Sequence, residues 1–307
     1  MIRHKEGAPL PEARSVSALS IAALVLTLGA AAPAAATPPE RISLGYEVYA
    51  GGFHFLDIDI TAALTAEGYR IESVVNGRGL VDFFRKIRLE SESVGDAELT
   101  PRRFNTRDAS REDGRRTAIV YRPDGKRDVT IEPDSKKPEP GEEVPDELRR
   151  SALDPLTAVL ASAVERDPEA ICSSTMPIFD GRRRFDLKFS APRTDSLKTS
   201  GQSRFAGEAV RCQVRVEPIA GFSDADDWRS TDADRDRTAI WIARFPQSGL
   251  SLPVRFQANA PVGSFIAHLT RFETTDLTAE KQADNPVDDL VDTGKLVDGM
   301  PGSASAD

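Results

Sequence analysis

Apolar and polar residues alternate with a period of two along most of the chain. Leu56, Ile58 and Ile60 alternate with Asp57, Asp59 and Thr61, and Ile87 and Leu89 with Arg88 and Glu90. Phe185, Leu187 and Phe189 alternate with Asp186 and Lys188, and Val210, Cys212, Val214 and Val216 with Arg211, Gln213 and Arg215. Leu250, Leu252, Val254 and Phe256 repeat the pattern, and Phe265, Ala267 and Leu269 close it. Successive side chains of a strand point to opposite faces, so each run predicts a strand with one apolar and one wet face. Strands of that kind build antiparallel sheet, because parallel strands are apolar on both faces. Gly51-Gly52, Pro123-Asp124-Gly125, Asp180-Gly181 and Gln247-Ser248-Gly249 supply turn signals between the runs.

One segment keeps a helical period. Leu156, Val159, Leu160, Ala163 and Val164 fall at i, i+3, i+4, i+7 and i+8, an apolar stripe on one helix face. Asp154 is placed to cap this helix and Pro155 to be its first residue, both favoured there. A Pro/Glu-rich loop, Lys136 to Pro145, precedes it. The predicted order is about seven strands, a loop, one helix and about five strands. A sheet of about a dozen strands must curl, and its apolar concave face needs a plug. The expected fold is therefore mainly β: a large curved antiparallel sheet, an open or half barrel, wrapping one amphipathic α-helix. Leu156, Val159, Leu160 and Ala163 are expected to be nearly inaccessible and to line any cavity beside the helix. Leu80, Phe83 and Phe84, in the apolar segment after Gly79, are expected at a core corner or at the lip of that cavity.

The N-terminus reads differently. Arg3, Lys5 and Arg14 precede an apolar run from Val16 to Leu28, followed by Ala34 and Ala36 in an A-x-A arrangement. That build predicts a secretory signal peptide cleaved after Ala36, because the run is too short to span a bilayer about 30 Å thick. The expected location is the periplasm, with residues 37–273 forming one β-rich domain. From Thr274 to Asp307 the chain carries eight acids and two lysines with no sustained period, which predicts a disordered acidic tail. The whole chain carries 49 acids against 40 bases, a net −9. Without residues 1–36 and the tail the charge is −4, which argues against a nucleic-acid-binding role. Cys172 and Cys212 are the two cysteines. In an oxidising compartment a lone pair predicts one disulfide; two buried free thiols are the alternative.

Four strings carry a family resemblance: Gly45-Tyr-Glu-Val-Tyr-Ala-Gly-Gly-Phe-His-Phe-Leu56; Val144-Pro-Asp-Glu-Leu148 with Leu153-Asp-Pro-Leu156; Pro177-Ile-Phe-Asp-Gly-Arg-Arg-Arg-Phe-Asp-Leu187; and Cys212 through Glu217-Pro-Ile-Ala-Gly-Phe222. In that order they resemble a bacterial periplasmic family known only as domain of unknown function 3108, over about Ile42 to Phe272. That family resembles the open, helix-embracing sheets of periplasmic lipoprotein carriers and envelope-integrity proteins. The resemblance implies a fold, and a fold does not confer a function.

Little in the chain points to catalysis. His54 and His268 lie in strand-like runs, where histidines are mostly structural. Gly201-Gln-Ser-Arg-Phe205 has Phe205 where a nucleophile elbow needs glycine. Asp292-Thr293-Gly294 matches an aspartic-protease triplet by letters alone and has no second copy to share a proton. Asp232-Ala-Asp-Arg-Asp236 begins like a calcium loop, but Arg237 and Ala243 occupy its required glycine and glutamate positions. No metal and no cofactor are expected. Arg182 and Arg184, after the Asp180-Gly181 turn, are candidates to hold an anion or a lipid headgroup; a salt-bridged hairpin with Asp180 and Asp186 is the plainer reading. The expected function is non-enzymatic binding of a lipid, acyl chain or polypeptide in the concave face of the sheet. A structural envelope partner is the alternative, and a hydrolase of unrecognised type a third. Membrane contact is expected to be peripheral at most.

Overall fold

The computed structural model describes residues 40–79, 86–110, 114–133, 143–222, 238–260 and 263–277. Its thirteen strands form one antiparallel sheet. Seven precede the helical segment: β1 (Glu40–Ala50), β2 (Phe53–Leu64), β3 (Tyr69–Gly77), β4 (Arg88–Gly95), β5 (Pro101–Asp108), β6 (Arg116–Tyr121) and β7 (Arg127–Glu132). Six follow it: β8 (Thr175–Phe179), β9 (Arg184–Leu197), β10 (Gly207–Ala220), β11 (Ala239–Phe245), β12 (Leu250–Ala260) and β13 (Gly263–Asp276). The spatial order runs β7 to β1, then β13 back to β8, so β7 and β8 are the two edges. The sheet is not closed into a barrel by strand pairing.

The turns follow their glycines. Gly51 and Gly52 both have positive φ, 56° and 87°, the geometry a two-residue hairpin needs to match strand twist. Register shifts interrupt the ladders at Gly45/Tyr46, Val48/Tyr49, Val94/Gly95 and Trp241/Ile242. Such bulges bend the strand and increase its twist. β13 runs three residues beyond the expected boundary at Glu273, pairing Thr274, Thr275 and Asp276 with Ile42, Arg41 and Glu40. Backbone pairing needs no apolar side chain, which is why a polar composition concealed it.

Three helices lie among the described residues: α1 (Asp146–Arg150), α2 (Pro155–Val164) and α3 (Pro168–Ile171). α1 is tied to strands from both halves of the chain. Arg127 on β7 donates to the Arg150 carbonyl at 2.9 Å, and Arg184 on β9 donates to the Leu148 carbonyl at 3.1 Å. Leu153 then forms a parallel bridge with Ile178 on β8. The turn between β8 and β9 packs directly on β6, for a Cβ added at Gly181 would overlap Thr117.

α2 packs against β3, β4, β8 and β12, so it touches strands from both halves of the chain. Leu156, Leu160 and Ala163 are buried as expected. Val159 is not: it is 38% exposed, while Thr157 and Ala158 are buried in its place. The ten residues of α2 include no charged side chain, and a helix with no strongly polar face is buried nearly all round. One apolar core joins α2 to residues of both halves, including Leu44, Ile71, Phe104, Ile119, Trp241 and Leu252. A second, smaller cluster surrounds the Cys172–Cys212 disulfide with Ile171 and Ile242.

Candidate functional site

The seam between α2 and the sheet contains a pocket of about 10 Å3. β1 supplies Ile42 and Leu44, β2 supplies Ile60 and Ala62, and Ile71 and Leu252 come from β3 and β12. Val159, Leu160 and Ala163 form the helix wall. All nine side chains are aliphatic, and Val159 among them is exposed. The volume is about that of one water probe, so the closed seam holds no acyl chain.

A buried polar network anchors the start of α2 beside this seam. The Asp154 carboxylate accepts from the backbone N–H groups of Leu156 and Thr157 at 3.1 and 2.9 Å. It also accepts from the hydroxyls of Thr157 at 2.6 Å, Ser93 at 3.0 Å and Tyr121 at 3.2 Å. The Tyr69 hydroxyl lies 2.6 Å from that of Thr157. A Cβ at Gly95 would overlap the Tyr69 ring, so this glycine lets the ring cross β4. Burial raises the Tyr121 phenol above its ordinary range, and the Asp154 charge adds to the shift. The Tyr121 phenol therefore stays protonated, as its donation to Asp154 requires.

A third feature follows one register across the sheet. Asp57, Glu47, His268, Arg255, Trp241, Arg211 and Arg193 are successive cross-strand partners from β2 through β1, β13, β12, β11 and β10 to β9. The indole of Trp241 has the Arg255 guanidinium 4.6 Å and the Arg211 guanidinium 5.4 Å from its ring centre. Its Nε1 donates to Asp195 at 2.9 Å, which also accepts from Arg193 at 3.0 and 3.3 Å. Burial alone would raise the Asp195 carboxyl, but the hydrogen bonds from Arg193 and Trp241 hold it below its ordinary value. Burial lowers the Arg255 guanidinium, and Arg211 adds to the shift. Burial, then Arg255, push the His268 imidazole down, with Glu47 opposing. Tyr49 donates to Glu47 at 2.6 Å, and that hydrogen bond with burial pushes its phenol up to about 12. Tyr49 stacks on His54, which lies 2.6 Å from Asp57.

The residues singled out from sequence fall in three places. Val159, Leu160 and Ala163 meet at the seam, whereas Leu156 packs in the main core without lining the pocket. Leu80, Phe83 and Phe84 lie outside the described residues, as do the Asp232 to Asp236 run and the Asp292-Thr293-Gly294 triplet. Arg182 and Arg184 do not converge: Arg182 is exposed, while Arg184 is buried and bound to Asp186 at 2.6 Å and to Leu148. Its guanidinium ties β9 to α1. The row around Trp241 was not foreseen, because alternation within a strand does not reveal which strands become neighbours.

Together these features define an open, barrel-like antiparallel sheet filled by a buried helix, with an aliphatic seam and a charged row. The chain belongs to the family described as Protein of unknown function (DUF3108), whose model matches residues 45–270. A crystal structure of a β-barrel-like protein of domain of unknown function DUF1849 from Brucella abortus is 12% identical, with a TM-score of 0.42. That match covers 78% of this chain and 99% of the other. No curated protein matches the chain.

Proposed function

We propose that the chain is a non-enzymatic periplasmic protein of the cell envelope that takes an acyl chain into the seam between α2 and the sheet. One observation carries this reading. The seam is lined by aliphatic residues alone, and one of them, Val159, is partly exposed at the surface. Such a lining offers no group to move a proton but matches a hydrocarbon chain. At about 10 Å3 the seam is closed, so entry requires α2 to swing from β1, β2 and β12 about its anchored start at Asp154. The leader ending in Ala36 and the Cys172–Cys212 disulfide support export.

Titration with 11-dansylaminoundecanoate tests the proposal by its fluorescence rise on entering an apolar site. The wild-type chain should bind it. Val159→Asp should abolish binding without lowering the melting temperature, since Val159 is exposed. Leu160→Ala, which enlarges the seam, should bind more tightly. If neither the wild type nor Leu160→Ala binds the probe, the reading fails. The structural envelope partner, favoured by the nearly filled interior, then takes its place.

A further inference from the structure

The groups around Trp241 hold more positive charge than their own partners use. Three guanidiniums, Arg193, Arg211 and Arg255, gather along β9, β10 and β12 around one carboxylate, that of Asp195, among the described residues. Asp195 is already committed to Arg193 and to the indole. Arg255 uses Nη2 on Gln257 at 3.1 Å, but its buried Nε has no hydrogen-bond partner among the described residues. Its neighbour in register, His268, is 7% exposed, and its Nδ1 also lacks a partner. A buried donor without an acceptor costs free energy that an incoming acceptor would recover. Glu47 borders the far side of His268 and is engaged by the Tyr49 hydroxyl, which limits the positive zone to the β9–β12 side.

This zone and the seam share one buried cluster. Trp241 belongs to the same buried cluster as Leu44, Leu160 and Leu252. Arg255 follows Leu252 by three positions on β12, about 10 Å at the rise of an extended strand. We propose that Arg255 and Arg211, flanking Trp241, bind the oxyanion head, carboxylate or phosphate, of an amphiphile whose chain occupies the seam. The chain part of this assignment rests on the function proposed above; the anion part rests on the arginine geometry alone. Planar guanidiniums suit oxyanions through paired N–H donors, and stacking on the indole holds the planes in place before the ligand arrives.

Calorimetry on the full chain separates the two parts. Laurate and dodecyl phosphate should bind at least about tenfold tighter than the uncharged monolaurin, the margin of one charge-assisted hydrogen bond. Arg255→Gln and Arg211→Gln should each erase that margin and leave monolaurin unchanged. Asp195→Asn keeps an acceptor for the indole while removing the competing charge, so it should tighten laurate binding, a gain that misfolding cannot produce. Equal affinity for charged and uncharged amphiphiles, or laurate binding unchanged in the double variant R211Q/R255Q, would overturn the headgroup site and leave the seam reading intact. If no amphiphile binds but inorganic phosphate does, and R211Q/R255Q abolishes it, the seam reading fails and the anion site stands. If nothing binds, both fall.

Discussion

The Ser93 hydroxyl on β4 lies 3.0 Å from the Asp154 carboxylate that caps α2. Through that contact, that of Tyr121 with Asp154, and those of Ser93 and Tyr69 with Thr157, the first turn of the helix is tied to the first half of the sheet. Among the described residues no cation is hydrogen-bonded to Asp154; its carboxylate accepts from two backbone N–H groups and three hydroxyls. Full satisfaction of this kind makes a buried network rigid, and partial satisfaction makes it costly.

Asp154→Ala should therefore destabilise the protein by about 2–4 kcal/mol. Loss of the cap accounts for about 1 kcal/mol, and orphaned hydroxyls for about 1–3 kcal/mol. Urea unfolding measures the sum. A loss below about 1 kcal/mol would show that the network contributes no more than an exposed cap.

The two faces of α2 should respond differently. Leu160→Ala removes a fully buried side chain from the core and should cost about 2–5 kcal/mol. Val159→Ala, at the exposed position, should cost less than about 1 kcal/mol. Equal losses in thermal melts would contradict the placement of the helix.

Cys172 and Cys212 lie forty positions apart and form one bridge. Non-reduced peptide mapping of periplasmic material should recover a single cross-linked peptide and an N-terminus at Thr37. Cys172→Ser should lower stability by about 2–5 kcal/mol. Free alkylation of both thiols without reductant would refute the bridge.

His268 should make stability depend on pH. Burial and Arg255 hold its folded-state pKa below the ordinary value. The unfolded chain thus binds a proton at a pH where the folded chain does not, and stability rises with pH through that window. The contribution is complete above about pH 6.5 and is lost as the pH falls below that value toward the lowered folded-state pKa. His268→Gln should flatten the melting-temperature profile over that interval. The depressed carboxyl of Asp195 acts only lower, as the pH falls below about 4.

How much was readable from sequence depended on whether the signal was local. The strands showed their period, and Asp154-Pro155 marked the start of α2 to the residue. α1 and α3, five and four residues long, are too short to show a helical period. Val159 was misplaced because the apolar stripe implied a polar back to the helix, and residues 155–164 have none. The pairing of Arg255 with Trp241 depends on strand neighbours and on the shift at Trp241/Ile242. Neither is a property of any one stretch of chain.

The strand order has a consequence for how the chain finds its fold. Every neighbouring pair in the sheet is consecutive in sequence except β1 with β13. Each of the other pairs closes a short connection or brings together adjoining segments, and loop-closure entropy rises only slowly with length. The search is thus concentrated in a single encounter, in which Glu40 meets Asp276 and Ala50 meets Phe265. Two meanders can assemble independently, and the rate of folding is then set by their docking along one long ladder, where proteins dominated by non-local pairing are slow. Substitutions along β1 and β13 should slow folding, while those at the β7 and β8 edges should chiefly speed unfolding.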